Sequence, residues 1–118
     1  MKISVLGTFY EIIRKDYKDE PEFEKSNIDG YCNGHTKQII VGNLSTFPSW
    51  KGADEMSIKI AEKETIRHEI VHAFLDESGL QSCSVEVNGP WAKNEEMVDW
   101  IALQGEKIYK AWRLAGAL

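Results

Sequence analysis

The spacing of apolar residues changes halfway along this chain, and that change limits the folds open to it. The first half carries short β-type runs separated by turn residues: residues 2–13 flank Gly7, and residues 36–41 follow Asn33-Gly34, a pair typical of hairpin turns. In the second half, apolar residues recur at helical spacing over about residues 61–78 and again over about 94–112. Strands followed by helices predict an α+β domain.

The expected architecture is a small N-terminal antiparallel β-sheet of hairpins, followed by one long helix and a C-terminal helix. Residues 14–29 mix both charge signs around Pro21 and are interpreted as a solvated loop. Residues 42–54 carry Pro48 and Gly52 and are interpreted as a second loop. The pattern does not decide whether residues 56–60 extend the long helix or form a strand.

Composition limits the size and the partners of the fold. The 118 residues, 42% of them hydrophobic, suit a single domain over 1–118 with a core of its own. Fourteen basic and 19 acidic residues give a net charge of −5. Because binding to phosphate backbones and to anionic lipid needs a basic face, we expect no nucleic-acid partner and no membrane partner.

The cysteines and the apolar runs indicate the compartment. Cys32 and Cys83 are far apart and belong to no C-x-x-C pair, which argues against a disulfide framework and a cysteine zinc ribbon. No apolar run approaches the ~18 residues that span a bilayer. The first residues are too short and too polar a stretch for a signal-peptide core, so we expect a cytoplasmic protein.

One short motif on the first long helix has the spacing of a metal site. His68 and His72 stand at i and i+4, about 6 Å apart at Cβ, so both imidazoles can reach one ion, and zinc suits imidazole. Glu69 lies ~100° around the helix, a poor position for a ligand and a good one for a general base. The plainer alternative is an amphipathic helix that carries two histidines by chance. A chance match to this pattern has a probability on the order of one in a hundred.

A catalytic zinc needs a third protein ligand. The metzincin pattern is excluded, because Leu75 and Ser78 stand where that class has glycine and histidine. Asp76 lies one turn beyond His72, but three ligands on consecutive turns of one helix do not close a tetrahedral site comfortably. The remaining candidates lie at residues 94–99, at the start of the last helix.

The combination of His68-Glu69-x-x-His72 with Asn94-Glu95-x-x-x-Asp99 resembles the paired signature of gluzincins, the thermolysin-like zinc peptidases. The resemblance implies that Glu95 is the third zinc ligand and that Asp99 orients His68 through a hydrogen bond. Glu96 competes with Glu95 for the ligand position. Two departures stand out: Val98 replaces the usual serine, and these residues do not include the second lobe that carries a further catalytic histidine.

Residues 67–80 and 94–100 also resemble short metallopeptidase-like proteins encoded by phages and integrated elements of Gram-positive bacteria. By architecture, the relatives of that group are the anti-repressor peptidases of the ImmA/IrrE type. These resemblances imply a minimal zincin-like fold, a zinc cofactor, a protein or peptide substrate, and a host or phage protein as partner.

Three hypotheses follow for the function. The first is a zinc metalloendopeptidase in which Glu69 is the general base and His35 or Tyr31 assists as an electrophile. The second is a zinc-stabilised protein-binding module that cleaves nothing, and the third is a metal-free protein with a fortuitous motif. The strand at residues 37–41 is also a candidate edge for pairing with an extended peptide.

Overall fold

The computed structural model describes residues 1–83, 91 and 94–118, apart from the side chains at positions 98, 99 and 102. Within these residues a mixed four-stranded sheet is followed by two long helices, which confirms the α+β class. The strands are β1 (Lys2–Val5), β2 (Thr8–Lys15), β3 (Gly30–Asn33) and β4 (Gln38–Gly42), and the helices are α1 (Pro21–Lys25), α2 (Glu55–Glu77), α3 (Leu80–Cys83) and α4 (Glu95–Leu114).

The sheet joins two antiparallel hairpins through a parallel pair of strands. Its order is β1-β2-β4-β3, and both β1/β2 and β3/β4 are antiparallel. β2 and β4 run parallel, with Ile12 opposite Ile39 and Ile13 opposite Ile40. The sheet is therefore mixed and not antiparallel throughout. The connection from residue 16 to residue 37 is long enough to return the chain for a parallel pairing.

β4 lies in the interior of the sheet, paired with β2 on one side and β3 on the other. The expectation that residues 37–41 offer a free edge is therefore wrong, because the backbone groups on both sides of this strand are used within the sheet. Among the described strands, the free edges belong to β1 and β3.

The turn between β3 and β4 is longer than the Asn33-Gly34 signal predicts. Asn33 pairs with Gln38, so four residues form the loop where a type I′ turn has two. The side-chain Oδ1 of Asn33 accepts the backbone N–H groups of His35 at 3.0 Å and Thr36 at 3.1 Å. Asparagine thus closes the turn with its side chain and remains at the end of the strand.

Part of the charged run at residues 14–29 is ordered structure and not loop. β2 continues to Lys15, and Pro21 begins the short helix α1, where its fixed φ suits the first helical position. This helix buries Phe23 in a cluster with Ile40, Leu44 and Phe47 on one face of the sheet. Phe23, the main apolar residue of an otherwise polar run, is the reason that the segment folds back onto the sheet.

The long helix α2 begins at Glu55, so residues 56–60 are helical and the question left open by the sequence is answered. Asp54 caps the helix, since its Oδ1 accepts the backbone N–H of Ser57 at 2.9 Å. Gly79, just beyond the helix, has a φ of +80°, the left-handed conformation that ends many helices.

The helices α2 and α4 cover the other face of the sheet. Their buried side chains join those of β1, β2 and β4 in one apolar cluster, which contains Ile3, Val5, Tyr10, Ile39, Val41, Ile66, Ile70, Ala73, Phe74, Ile108 and Ala111. This packing fixes the rotation of α2 about its own axis. In the described part of the chain, no helix combines the length and the apolar character needed to cross a membrane.

Candidate metal centre

Two imidazoles converge on the exposed side of α2. His68 and His72 are one turn apart, and their Nε2 atoms lie 3.0 Å from each other. Their ring centroids are 4.8 Å apart, with an angle of 66° between the ring planes. Because the apolar residues of α2 face the sheet, both histidines are held on the outer side, where an ion can reach them.

This pair fits a zinc ion in the spacing of its nitrogens, and the surroundings of His72 also favour metal binding. Two nitrogens bound at ~2.0–2.1 Å to a tetrahedral zinc lie roughly 3.3 Å from each other, close to the separation of these imidazoles. The pKa of His72 is lowered, first because neighbouring protein removes water and then because of the charge of His68. A lowered pKa favours the neutral imidazole, which is the form that binds a metal.

The residues that the structure describes include no third ligand close to the two histidines. Among the described residues, no group of three His, Cys, Asp or Glu side chains is placed to hold one ion. Glu95 and Glu96 are exposed in the first turn of α4, which Asn94 caps by accepting the backbone N–H of Met97 at 2.8 Å. The side chain of Asp99 lies outside the described residues. The roles of Glu95 and Asp99 therefore stay predictions.

Glu69 is a buried carboxyl beside the histidine pair. It is 6% exposed, and no described residue donates a hydrogen bond to its carboxylate. Burial raises the pKa of Glu69 from 4.5 to about 7, because the charged form loses water without gaining a partner. A carboxyl with a pKa near neutrality can both accept and release a proton, which is what a general base needs.

A groove runs between α2 and β3 and opens over this site. It consists of two adjoining cavities of about 330 Å³ and about 360 Å³. Ile28, Gly30, His68 and Glu69 line both cavities, so His68 and the buried carboxyl lie at the middle of the groove, and His72 lines one of the cavities.

Gly30 lets β3 lie against α2 at this point. A Cβ atom at position 30 would stand 2.8 Å from the carbonyl oxygen of Ile40 and 2.8 Å from Cγ2 of Thr65. It would also lie 3.5 Å from Cγ of Glu69. Any side chain here would push the strand away from the helix, so glycine sets the width of the groove beside Glu69.

Two residues, Asp76 and Cys32, line the far end of the groove, and the sequence alone does not predict their position there. Asp76 lies one turn beyond His72 and fills the space next to Gly34, where an added Cβ would stand 1.2 Å from its Oδ2. Cys32 also lines this end, and burial raises the pKa of its thiol to about 12, with a further contribution from the charge of Glu69. The i+4 spacing from His72 is the sequence signal for Asp76, whereas Cys32 depends on how β3 docks.

The two candidate electrophiles have different positions. Tyr31 is among the residues that line one of the two cavities, but its ring packs with Ile40 and Phe47 in the cluster on the sheet face opposite Ile39. Its pKa is raised by burial and then by the charge of Glu20, so the phenol interacts on that side. His35 is exposed in the β3–β4 turn and is not among the described residues that line the groove.

Comparisons of the chain with models of known protein families, with curated proteins and with solved structures gave no match. The assignment of a function therefore depends on the geometry of this site and on the motif resemblance.

Proposed function

We propose that this protein is a zinc-dependent metallopeptidase that hydrolyses peptide bonds. The observation that carries the proposal is the buried carboxyl of Glu69, which has no partner among the residues that the structure describes. It lies next to two imidazoles whose Nε2 atoms are 3.0 Å apart. His68 and His72 are the proposed ligands, and Glu95 is the third ligand implied by the resemblance to gluzincins. Core packing alone does not account for an unpaired buried carboxyl, because its burial costs free energy.

The side chains divide the work of the reaction. When bound, zinc supplies a Lewis acid that polarises the scissile carbonyl and lowers the pKa of a water molecule from 15.7 toward ~7. Glu69 accepts a proton from the attacking water and then delivers it to the nitrogen of the leaving amine, as the carbon–nitrogen bond breaks. Burial of this carboxyl favours its protonated form, which helps it to hold the proton between the two transfers.

The borders of the groove support a peptide as substrate. β3 is an edge strand with one side unpaired among the described residues, and it forms one wall of the groove. An extended peptide can pair with such an edge through backbone hydrogen bonds, which places its carbonyl groups over the neighbouring helix. β3 takes the place of residues 37–41 as the candidate docking edge.

The role of Glu69 is tested by the substitution Glu69→Gln. We expect this variant to keep its zinc and to lose peptide cleavage by a factor of at least about 10². Its free energy of unfolding should be equal to or higher than that of the native protein, because a buried charge without a partner is removed. Zinc content, cleavage of a peptide library and denaturant unfolding supply the three readings.

Glu55→Gln is the matched control on the same helix, since Glu55 is exposed and pairs with the exposed Lys59 one turn away. The control should retain full cleavage. Undiminished cleavage by Glu69→Gln would remove Glu69 from the mechanism.

A second candidate function is a zinc-stabilised protein-binding module. It is favoured by the absence of a third ligand among the described residues and by a free edge that binds peptide without chemistry. One zinc per chain with no cleavage of any library peptide, in a protein that still binds peptide at the groove, would favour this alternative.

A further inference from the structure

The groove has carboxyl groups at both of its ends. Glu64, His68, His72 and Asp76 form one row on α2, each four residues from the next, so the row spans about 18 Å. The two histidines lie in the middle of the row, with a carboxylate at each end.

A second element adds to the charge at one end. Asp29, which immediately precedes β3, lines the same cavity as Glu64, and we call these two residues the acidic end of the groove. With Glu69 and Asp76, four carboxyl groups line the groove, and no lysine or arginine is among its described lining residues. Even a divalent ion on the histidines leaves this surface with an excess of negative charge.

In the described part of the chain, no lysine or arginine forms an ion pair with the carboxyl groups of the groove. Lys37 pairs with Glu77, and Asp29 interacts with the side chain of Trp50, which is uncharged. Independently of the acidic end, Glu69 is more than nine-tenths buried, has no hydrogen-bond partner among the described residues, and faces both cavities. Within the part that the structure describes, these carboxyl groups therefore lack a positively charged partner, which a bound ligand can supply.

We propose that the groove selects an extended peptide with a lysine or arginine about two residues from the bond held at the histidines, bound at the acidic end. The spacing follows from geometry: one helical turn from His68 to Glu64 is about 6 Å, and an extended chain advances about 3.3 Å per residue. That the peptide is a substrate rests on the proposed function, whereas the preference for a basic side chain rests on the lining of the groove alone.

The test measures binding separately from cleavage. Fluorescently labelled seven-residue peptides with blocked ends, each with one lysine or one glutamine at a given position, are titrated against the full chain carrying Glu69→Gln. We expect the lysine peptide to bind about fivefold more tightly at one position near the centre, and the difference to shrink as salt is added.

Variants of the acidic end test whether its two carboxyl groups cause the preference for lysine. Asp29→Asn with Glu64→Gln should abolish the preference for lysine, and Glu64→Gln alone, at an exposed position, should reduce it. Glu24→Gln with Glu106→Gln removes the same charge from exposed positions outside the groove lining and should leave the preference intact. Circular dichroism checks that each variant is folded.

Equal affinity for lysine and glutamine peptides, or a preference that survives the variant of the acidic end, would overturn the proposal. Failure of the proposed function gives a different result: the native protein cleaves none of the peptides, while the lysine preference in binding remains.

Discussion

Glu69 and Glu77 are carboxyl groups on the same helix whose surroundings shift their pKa values in opposite directions. Glu69 is buried with no hydrogen-bond partner in the described part of the chain, and its pKa rises to about 7. Glu77 accepts hydrogen bonds from Thr8 at 3.0 Å, from Tyr10 at 2.9 Å and from Lys37, and its pKa is lowered, chiefly by Lys37. Glu77 therefore stabilises the fold, whereas the burial of Glu69 imposes a cost on it, as expected of a residue with the role proposed above.

The contribution of Glu77 to the free energy of unfolding should decrease as the pH falls. Because its pKa in the folded protein lies below the ordinary value of 4.5, its charge stabilises the protein above about pH 4.5. That stabilisation is lost as the pH falls through the lowered pKa. At pH 7 we expect Glu77→Gln to lower the free energy of unfolding by about 1 kcal/mol, and Glu77→Ala by about 2–3 kcal/mol, because the alanine variant leaves the hydroxyl of buried Tyr10 without an acceptor.

Urea unfolding at about pH 7 and about pH 3 measures this dependence, with Glu55→Gln as the exposed control. The difference between the native protein and Glu77→Gln should be small at the lower pH. A difference that is constant with pH would show that the charge of Glu77 is not what stabilises the contact.

The third zinc ligand is also decided at the level of single residues. Glu95 and Glu96 are adjacent, both exposed and both in the first turn of α4, so they form a matched pair. If Glu95 is the ligand, Glu95→Ala should weaken zinc binding by more than about 100-fold, beyond the effect expected of an outer-shell residue, and Glu96→Ala should change it little. Competition with a chromogenic zinc chelator gives both affinities, and the reverse ranking would assign the ligand to Glu96.

At the level of elements, short sequence patterns predict the turns and helices that local interactions determine. The hairpin around Gly7 formed, with Leu6 at a φ of 49° and Gly7 at 90°, the left-handed pair that a tight turn needs. The parallel pairing of β2 and β4 was not predicted, because strand direction depends on the path of the whole connection. The helical period also shows that α2 has an apolar face, but not which strand lies beside its polar one.

Gly105 offers a test of one element on its own. It lies inside α4, and an added Cβ would meet no described atom within 4 Å. Gly105→Ala should raise the free energy of unfolding by about 0.5–1 kcal/mol, because alanine loses less backbone entropy in a helix. Gly79→Ala is the matched control, since that site is equally open but has a φ of +80°, and this change should be destabilising. Thermal unfolding ranks the two, and destabilisation by both would mean that α4 packs more closely at Gly105.

At the level of the whole molecule, the candidate site depends on contacts between distant parts of the chain. The spacing of His68 and His72 could be predicted, since it needs only a helix. The groove could not, because it depends on Gly30 meeting Thr65, more than thirty residues further along the chain. The same reason explains why Asp29 and Glu64 were not recognised as neighbours. The acidic residues behind the net charge of −5 are not evenly spread, since four of the carboxyl groups line one groove.

The metal content of the purified protein tests the central claim most directly. We expect elemental analysis to find one zinc per chain in the native protein and none when His68 and His72 are both replaced by alanine. Added zinc should raise the melting temperature of the metal-stripped protein and leave that of the double variant unchanged. A native protein without zinc, whose melting temperature does not respond to added zinc, would contradict the account and leave the histidine pair without a metal to bind.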